Sequence, residues 1–219
     1  RNALARFRRL PPARLFGDHA RARRIRRGVA VAGARSPRPE RVVVTLTSIP
    51  DRRDSLAPAL FSLIDQTWPA DRILLAWPDK SLRTGAAYPP PPDLPEGVDI
   101  LRCEDVGPAT KLLPGLVAEP DALLIVVDDD VIYPADFIET LVRAHRRDPA
   151  AALGWRGWRV EPGRDPRDYL HVFATAMHAP CDVDILLGTW GYLVPPGALD
   201  GAVHDFSGWP PEVRWRSEE

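Results

Sequence analysis

Apolar residues in the first half of this chain form short continuous runs, and segments of helical spacing lie between them. Four such runs predict strands: VVVTLT from Val42, RILLAW from Arg72, VDILRCE from Val98 and ALLIVVDD from Ala122. Continuous β-branched and aliphatic runs are typical of parallel strands that are buried on both faces. Because strand and helix patterns alternate, we expect a βαβ-type layer with a mainly parallel sheet.

The segments between the strands predict three helices. The first lies within residues 54–66, capped by Asp54 or Ser55, and the second is a short helical segment in GPATKLLPGL. The third begins at Pro134 and buries one face. Apolar residues at helical spacing mark the first and third helices: Leu56, Leu60, Leu63 and Ile64, then Phe137, Ile138, Leu141 and Val142.

The periodicity weakens after about residue 150. Short apolar pieces there, ALGWRGW, YLHVFAT and VDILLGTWGYLV, predict strands of a mixed region between loops rich in Trp, Gly and Pro. The expected fold is therefore a single α/β domain at residues 41–219, with a mixed, mainly parallel, Rossmann-like sheet flanked by helices.

Residues 1–40 differ in composition from the rest of the chain. They hold twelve arginines against Asp18 and Glu40, about +10, whereas the whole chain has a formal net charge of -1. Without a sustained helical stripe, this segment is expected to be a basic, solvated and partly disordered arm. An alternative is peripheral contact with anionic lipid at the inner face of a membrane. Nucleic acid is not expected as a partner, since no recognition motif accompanies the arginines.

The cysteines and the longest apolar runs bear on the cellular compartment of the protein. Cys103 and Cys181 are the only cysteines and lie far apart, which favours a reducing, cytoplasmic location over a disulfide framework. No apolar run approaches the roughly 18 to 20 residues of a membrane helix. The chain begins at Arg1 and stops after Glu219, so we expect a fragment, truncated at its C-terminus.

Three consecutive aspartates follow the fourth predicted strand, in LLIVVDDDVIYPADF. Adjacent carboxylates repel one another, and ligands of open α/β sheets bind at the carboxyl ends of strands. Alternate residues share a face, so Asp128 and Asp130 are expected to point at one Mg²⁺ or Mn²⁺ ion while Asp129 points elsewhere. The alternative is a solvated loop whose acidic residues favour the helix start at Pro134.

Two phosphotransfer classes also place aspartate after an apolar strand. Receiver domains need a phosphoacceptor Asp after a later strand, but the matching strand here ends in Gly188. Haloacid-dehalogenase-like phosphatases use a DxDx[TV] pattern that DDDVI nearly fits, and they need a downstream Lys, but no lysine follows Lys111. Both classes begin with this strand, whereas three strands precede it here. They remain distant alternatives.

Several segments together are similar to the GT-A-type, family-2-like bacterial glycosyltransferases. These are VVVTLTSIPDRRDSLAPALFSLIDQTWPADRILL, EDVGPATKLLPGL, IVVDDDVIYPADFIETLV with the DxD motif, and GTWGYLVPPGAL. They cover most of residues 42–200 in the expected order. The resemblance implies metal-dependent transfer of a sugar from a nucleotide-diphosphosugar donor to an acceptor that is a glycan, a lipid or a small molecule.

The resemblance also implies roles for individual residues. Asp130 would be the direct metal ligand, Asp128 would face the donor ribose or reach the metal through water, and His204 is an additional metal candidate. The donor-binding candidates are Thr47, Ser48, Arg52, Asp105, Lys111, Asp128 and Asp129. Lys111 is one of only two lysines, and its compact ammonium suits a diphosphate.

The resemblance implies that the second half of the chain carries the acceptor and catalytic roles. Gly188, Trp190 and Gly191 would let a sugar approach the backbone and stack on an indole ring. An inverting enzyme needs a carboxylate base, for which Glu218 and Glu219 are the candidates unless the base lies past the chain end. If the base is missing, the main alternative is a non-catalytic nucleotide-sugar or metal-binding module.

Overall fold

The computed structural model describes residues 12–34, 37–174, 180–205 and 207. Four helices lie within these residues: α1 (Pro12–Arg26), α2 (Ala57–Ile64), α3 (Leu113–Ala118) and α4 (Phe137–His145). The described part of the chain also has nine strands: β1 (Val42–Thr47), β2 (Arg72–Pro78), β3 (Val98–Cys103), β4 (Leu123–Val126), β5 (Leu153–Gly154), β6 (Arg156–Arg159), β7 (Leu170–Phe173), β8 (Ile185–Leu186) and β9 (Tyr192–Val194). The 3₁₀ turns are Pro50–Ser55, Gly107–Lys111, Pro166–Asp168 and Gly201–His204.

Six of the strands form one mixed sheet in the order β3-β2-β1-β4-β9-β5. The first four are parallel, and β9 runs antiparallel to both β4 and β5. Val44 of β1 lies opposite Ile73 of β2 and Ile125 of β4. The predicted α/β fold with a mainly parallel sheet is confirmed.

The central strand β1 is buried on both faces, which explains its continuous apolar run. Val42, Val44 and Leu46 pack in a large cluster with residues of α2 and α4. Val43 points the other way, into a smaller cluster that includes Leu112 and Leu116, next to and within α3. Helices therefore cover both sides of the sheet.

Two predicted helix starts are wrong. Asp54 and Ser55 lie in the 3₁₀ turn that precedes α2, and no side chain caps that helix. The Ser55 hydroxyl instead donates to the Arg52 carbonyl. Helix α4 begins at Phe137, three residues after Pro134, although its predicted apolar face is buried.

The described part of the basic arm includes helix α1, and many of residues 19–34 are exposed. Helix α1 lies against the end of α2, where Arg21 Nε donates to Asp65 at 2.6 Å and Arg24 Nη1 at 2.7 Å. Arg21 also donates to the Tyr133 carbonyl, and Ile25 is buried. Burial would raise the pKa of Asp65, but hydrogen bonds from Arg24, the Val31 amide and Arg21 lower it overall.

Three short strands form a second sheet in the order β7-β6-β8, with both pairs antiparallel. The apolar pieces after residue 150 therefore do form strands, as predicted. No helix among the described residues is long and apolar enough to cross a membrane.

Candidate functional site

The candidate site lies where the order of the main sheet reverses. From β1 the chain moves outward to β2 and β3, and then returns to the other side of β1 as β4. In open α/β sheets such a reversal opens a crevice at the carboxyl ends of the strands. Ser48 directly follows β1, and Asp128 to Asp130 follow β4 by one residue, so both groups lie at this crevice.

Asp129 and Asp130 share one guanidinium. Arg52 Nη1 donates to Asp129 Oδ1 at 2.8 Å and to Asp130 Oδ2 at 3.0 Å. The Ser48 hydroxyl donates to the second Asp129 oxygen. Asp129 is 9% exposed and Asp130 is 58% exposed. Asp129 therefore holds Arg52 and Ser48 in place, whereas Asp130 presents its carboxylate to solvent.

Arg52 is supplied by the 3₁₀ turn between β1 and α2, which brings the guanidinium above the strand ends. Its side chain is about half exposed. The hydrogen bond to Asp129 and the nearby negative charges of Asp129, Asp130 and Asp128 raise its pKa. It is therefore a permanent cation with one exposed side, which suits an anionic ligand.

Asp128 is held by a different set of partners. Lys111 Nζ donates to its Oδ1 at 3.0 Å, and the Trp190 backbone amide donates to its Oδ2 at 2.8 Å. Lys111 Nζ also donates to the Gly188 carbonyl. These contacts tie the segment before α3 and the segment before β9 to the end of β4.

The pairing of the three aspartates therefore differs from the prediction. Asp128 and Asp130 were expected to share a face, but in the described contacts Asp130 shares Arg52 with Asp129. The difference arises because β4 ends at Val126, before the aspartates. Strand alternation does not govern side-chain direction in the turn that follows.

Tyr133 is a site residue that sequence reasoning missed. Its hydroxyl accepts from the Asp128 backbone amide at 2.7 Å, and its own amide donates to the Ser62 hydroxyl of α2. The residue is buried, and burial raises its pKa, so the phenol stays neutral. It therefore anchors the aspartate turn. No spacing signal separates it from an ordinary core tyrosine.

Trp190 and Gly191 adopt backbone conformations that side chains disfavour. Trp190 has φ +65°, the only positive φ of a non-glycine residue in the described ranges, and Gly191 has φ +90°. A Cβ at Gly191 would come within 2.6 Å of the Phe137 ring. Trp190 is 43% exposed. A bulky residue in the left-handed region is a true outlier that points to function.

Two predicted site residues, Thr47 and Asp105, have other contacts, and a third, His204, is exposed. The Thr47 hydroxyl donates to the Ala76 carbonyl of the neighbouring strand. Asp105 accepts from the amides of Leu82 and Gly107, which shapes the turn after β3. His204 lies exposed in the last 3₁₀ turn. Their assignment to the site stays a prediction. The catalytic candidates Glu218 and Glu219 lie outside the described residues.

The described residues do not form a closed metal cage. Within residues 12–34, 37–174, 180–205 and 207, no group of three or more His, Cys, Asp or Glu side chains could hold a metal ion. Mg²⁺ is usually bound by only one or two carboxylates, with substrate phosphates and water completing its shell. The exposed Asp130 carboxylate fits that looser arrangement, in which substrate phosphates and water would complete the shell.

Comparison with protein-family models gives no match to this chain, and a search of curated proteins also finds no matching relative. Any functional assignment must therefore rest on the geometry of the chain itself.

Proposed function

We propose that this chain is a metal-dependent glycosyltransferase of the GT-A type that moves a sugar from a nucleotide-diphosphosugar donor to an acceptor hydroxyl. The single observation that supports it is the set of charges at the sheet reversal. Asp130 with its exposed carboxylate, the half-exposed Arg52 guanidinium and the Lys111 ammonium converge there from three different loops. A site that mixes carboxylates with fixed cations suits a ligand that brings both a metal ion and a diphosphate.

The reaction needs charge stabilisation at the leaving group. The bond between the anomeric carbon and the donor phosphate breaks, the acceptor oxygen forms a new bond to that carbon, and a nucleoside diphosphate leaves. Asp130, and Asp128 directly or through water, would hold a divalent metal ion, which would supply Lewis-acid stabilisation of the leaving diphosphate. The acceptor hydroxyl loses its proton to a carboxylate base. That base is not among the residues placed at the site.

The two cationic side chains of the site, Arg52 and Lys111, have distinct roles in this proposal. Arg52 would contact the diphosphate through the guanidinium nitrogens that its hydrogen bonds to Asp129 and Asp130 do not use. Lys111 is mostly buried, at 18% exposure, and is fixed between Asp128 and the Gly188 carbonyl. It positions the Asp128 carboxylate and neutralises part of the acidic cluster, which lowers the repulsion among three neighbouring aspartates.

Metal binding at Asp130 would change the contact of this carboxylate with Arg52. Arg52 Nη1 already contacts Asp130 in the structure, so a metal ion at Asp130 has to displace that contact. Such an exchange costs little, since ion pairs between half-exposed groups contribute about 0 to 1 kcal/mol. Arg52 would remain bound to the buried Asp129 carboxylate and would turn its other nitrogens toward the phosphates.

The proposal is tested by incubating the protein with a panel of UDP- and GDP-sugars, with and without Mn²⁺, and following release of the free nucleotide. Mn²⁺-dependent hydrolysis or transfer is the expected result. Binding of a nucleotide sugar without turnover would favour a non-catalytic donor-binding module instead. Neither binding nor turnover with any donor of the panel would reject both.

A further inference from the structure

The second sheet presents a row of aromatic rings on one face. Trp158 of β6 lies opposite His171 of β7, with ring centres 5.3 Å apart. His171 and Phe173 are 6.2 Å apart, and Phe173 and Trp190 are 6.1 Å apart. We call Trp158, His171, Phe173 and Trp190 the aromatic row.

The opposite face of the same sheet is the one that packs against the body. Leu186 of β8 pairs with Gly157 of β6, so its side chain lies on the face opposite Trp158. The Leu186 side chain lies 2.7 Å from where a Cβ at Gly154 of the main sheet would be. Contacts on the opposite face therefore also attach this sheet, and two members of the aromatic row are open: Trp190 is 43% exposed and His171 is exposed.

The aromatic row ends at the candidate donor site. The Trp190 amide donates to Asp128, so the last ring of the row is fixed next to the aspartate turn. The Arg156 guanidinium lies over this end of the row, 5.1 Å from the Trp190 ring centre and 5.2 Å from that of Phe173. Its Nη1 also donates to the Thr189 hydroxyl at 2.9 Å.

The same face carries polar groups between its rings. Two donors on it, Trp158 Nε1 and Arg156 Nε, are buried without a hydrogen-bond partner among the described residues. Unpaired buried donors are uncommon and call for an explanation. A ligand that combines apolar ring faces with many hydroxyl oxygens matches this mixture of surfaces better than a hydrocarbon chain does.

On this basis we propose that the aromatic row is the acceptor subsite of the chain, and that its ligand is an oligosaccharide whose successive sugar rings stack on it. The proposal rests on the proposed transferase function and names the acceptor class for the same site. Trp190 would contact the sugar unit nearest the donor, and Phe173, His171 and Trp158 would contact units farther along. The left-handed backbone of Trp190 then has a reason, since it turns the indole ring toward the row while its amide holds Asp128.

The test is direct binding, without donor or metal. The protein is screened on an array of defined oligosaccharides built from common hexoses, hexosamines, deoxyhexoses and uronic acids, and each positive compound is titrated by calorimetry as its mono-, di- and trisaccharide. We expect affinity to increase with length from mono- to trisaccharide. Phe173→Ala and Trp190→Gly should each weaken trisaccharide binding by about ten-fold.

Leu170→Ala is the matched control. Leu170 is an exposed apolar residue of the same strand, 54% exposed, but it points to the opposite face from Phe173. It should leave binding unchanged. Thermal unfolding of each variant shows whether the fold is kept, and the array is repeated with Trp158→Phe, which keeps a ring, if Phe173→Ala does not fold.

The outcomes separate this proposal from the proposed function. Absence of binding to every compound of the array, or equal losses in Leu170→Ala and Phe173→Ala, overturns the acceptor subsite while Mn²⁺-dependent donor binding can still be present. Length-dependent glycan binding that Phe173→Ala weakens, in a protein that binds no nucleotide sugar, supports the subsite and rejects the transferase.

Discussion

Each charged side chain of the candidate site has a partner within the chain, and these pairs define what a ligand must displace. Asp128 is held by Lys111 and a backbone amide, whereas among the described residues Asp130 has only the shared contact with Arg52. Asp130 is thus the carboxylate that is most available to a metal ion. The sequence identified the acidic cluster and both cations, but it could not show which carboxylate pairs with which cation. That depends on a turn whose shape is set by Tyr133.

Replacing Arg52 should affect metal and donor binding in opposite directions. Without donor, Arg52→Gln should bind Mn²⁺ several-fold more tightly, since a positive charge next to Asp130 is lost. The same variant should bind a nucleotide diphosphate more weakly, because the guanidinium no longer contacts the phosphates. Calorimetric titration with each ligand measures both effects.

Arg53→Gln is the control for this pair of measurements. Arg53 is the next residue along the chain, but it contacts Asp54 and the Pro90 carbonyl rather than the aspartate turn. Weaker Mn²⁺ binding in Arg52→Gln, or equal effects in the two variants, would contradict the role given to Arg52.

The strained backbone of Trp190 gives a stability prediction. Left-handed backbone costs a residue with a Cβ roughly 1 kcal/mol or more, and costs glycine almost nothing. Trp190→Gly should therefore be more stable than Trp190→Ala by about 1 kcal/mol, although both lose the same ring contacts. Urea unfolding of the two variants makes the comparison. An alanine variant of equal or greater stability would show that φ +65° is not kept in solution.

At the scale of elements, the first four strands were predictable and helix α1 was not. Continuous apolar runs predict strands that are buried on both faces, and β1, β2 and β4 match them, whereas β3 at the edge of the sheet is partly exposed. Helix α1 is attached through arginine–carboxylate contacts and one buried isoleucine. The pattern of apolar residues therefore does not predict this helix. The strands after residue 150 are two to four residues long, and their pairing depends on distant segments.

Asp65 should be essential for the attachment of α1. Its side chain is 3% exposed and accepts from Arg21, Arg24 and the Val31 amide. Asp65→Asn leaves these partly buried cations unpaired, so the free energy of unfolding should fall by about 3 kcal/mol. Urea denaturation tests this, with Asp54→Asn as the control because Asp54 is exposed and paired only with Arg53 in the described contacts. A loss no larger than that of the control would contradict the docked arrangement.

The ionisation of Glu119 should make the free energy of unfolding depend on pH. It accepts from Arg41 and Arg72 and so links the starts of β1 and β2 to the end of α3. The hydrogen bond from Arg41, outweighing burial, and that from Arg72 lower its pKa to about 2. Since the folded pKa lies below the ordinary value of 4.5, the contribution to stability is present above pH 4.5 and is lost as the pH falls toward 2.

The measurement is the free energy of unfolding between pH 7 and pH 2 for the wild type and Glu119→Gln. The wild type should lose more stability than the variant within the acid range. Parallel curves for the two proteins would show that the ion pairs of Glu119 do not form in solution.

At the scale of the whole molecule, the site is assembled from segments that are far apart along the chain. The 3₁₀ turn after β1, the 3₁₀ turn before α3, the turn after β4 and the segment before β9 meet at one edge of the sheet. Chain order and the carboxyl-end rule predict that the first three meet there. The fourth segment contacts Asp128 through the Trp190 backbone amide. Side-chain types along the sequence do not predict such a backbone contact.

The central claim is that Asp130 binds the metal ion of a nucleotide-sugar complex. The most direct test is calorimetric titration of a panel of UDP- and GDP-sugars into wild type, Asp130→Ala and Asp121→Ala, with and without Mn²⁺. Asp121 serves as the control because it is an exposed aspartate at the opposite end of β4. We predict that wild type and Asp121→Ala bind at least one donor only with Mn²⁺ and that Asp130→Ala keeps its fold but loses this binding. Unchanged donor affinity in Asp130→Ala would contradict the account.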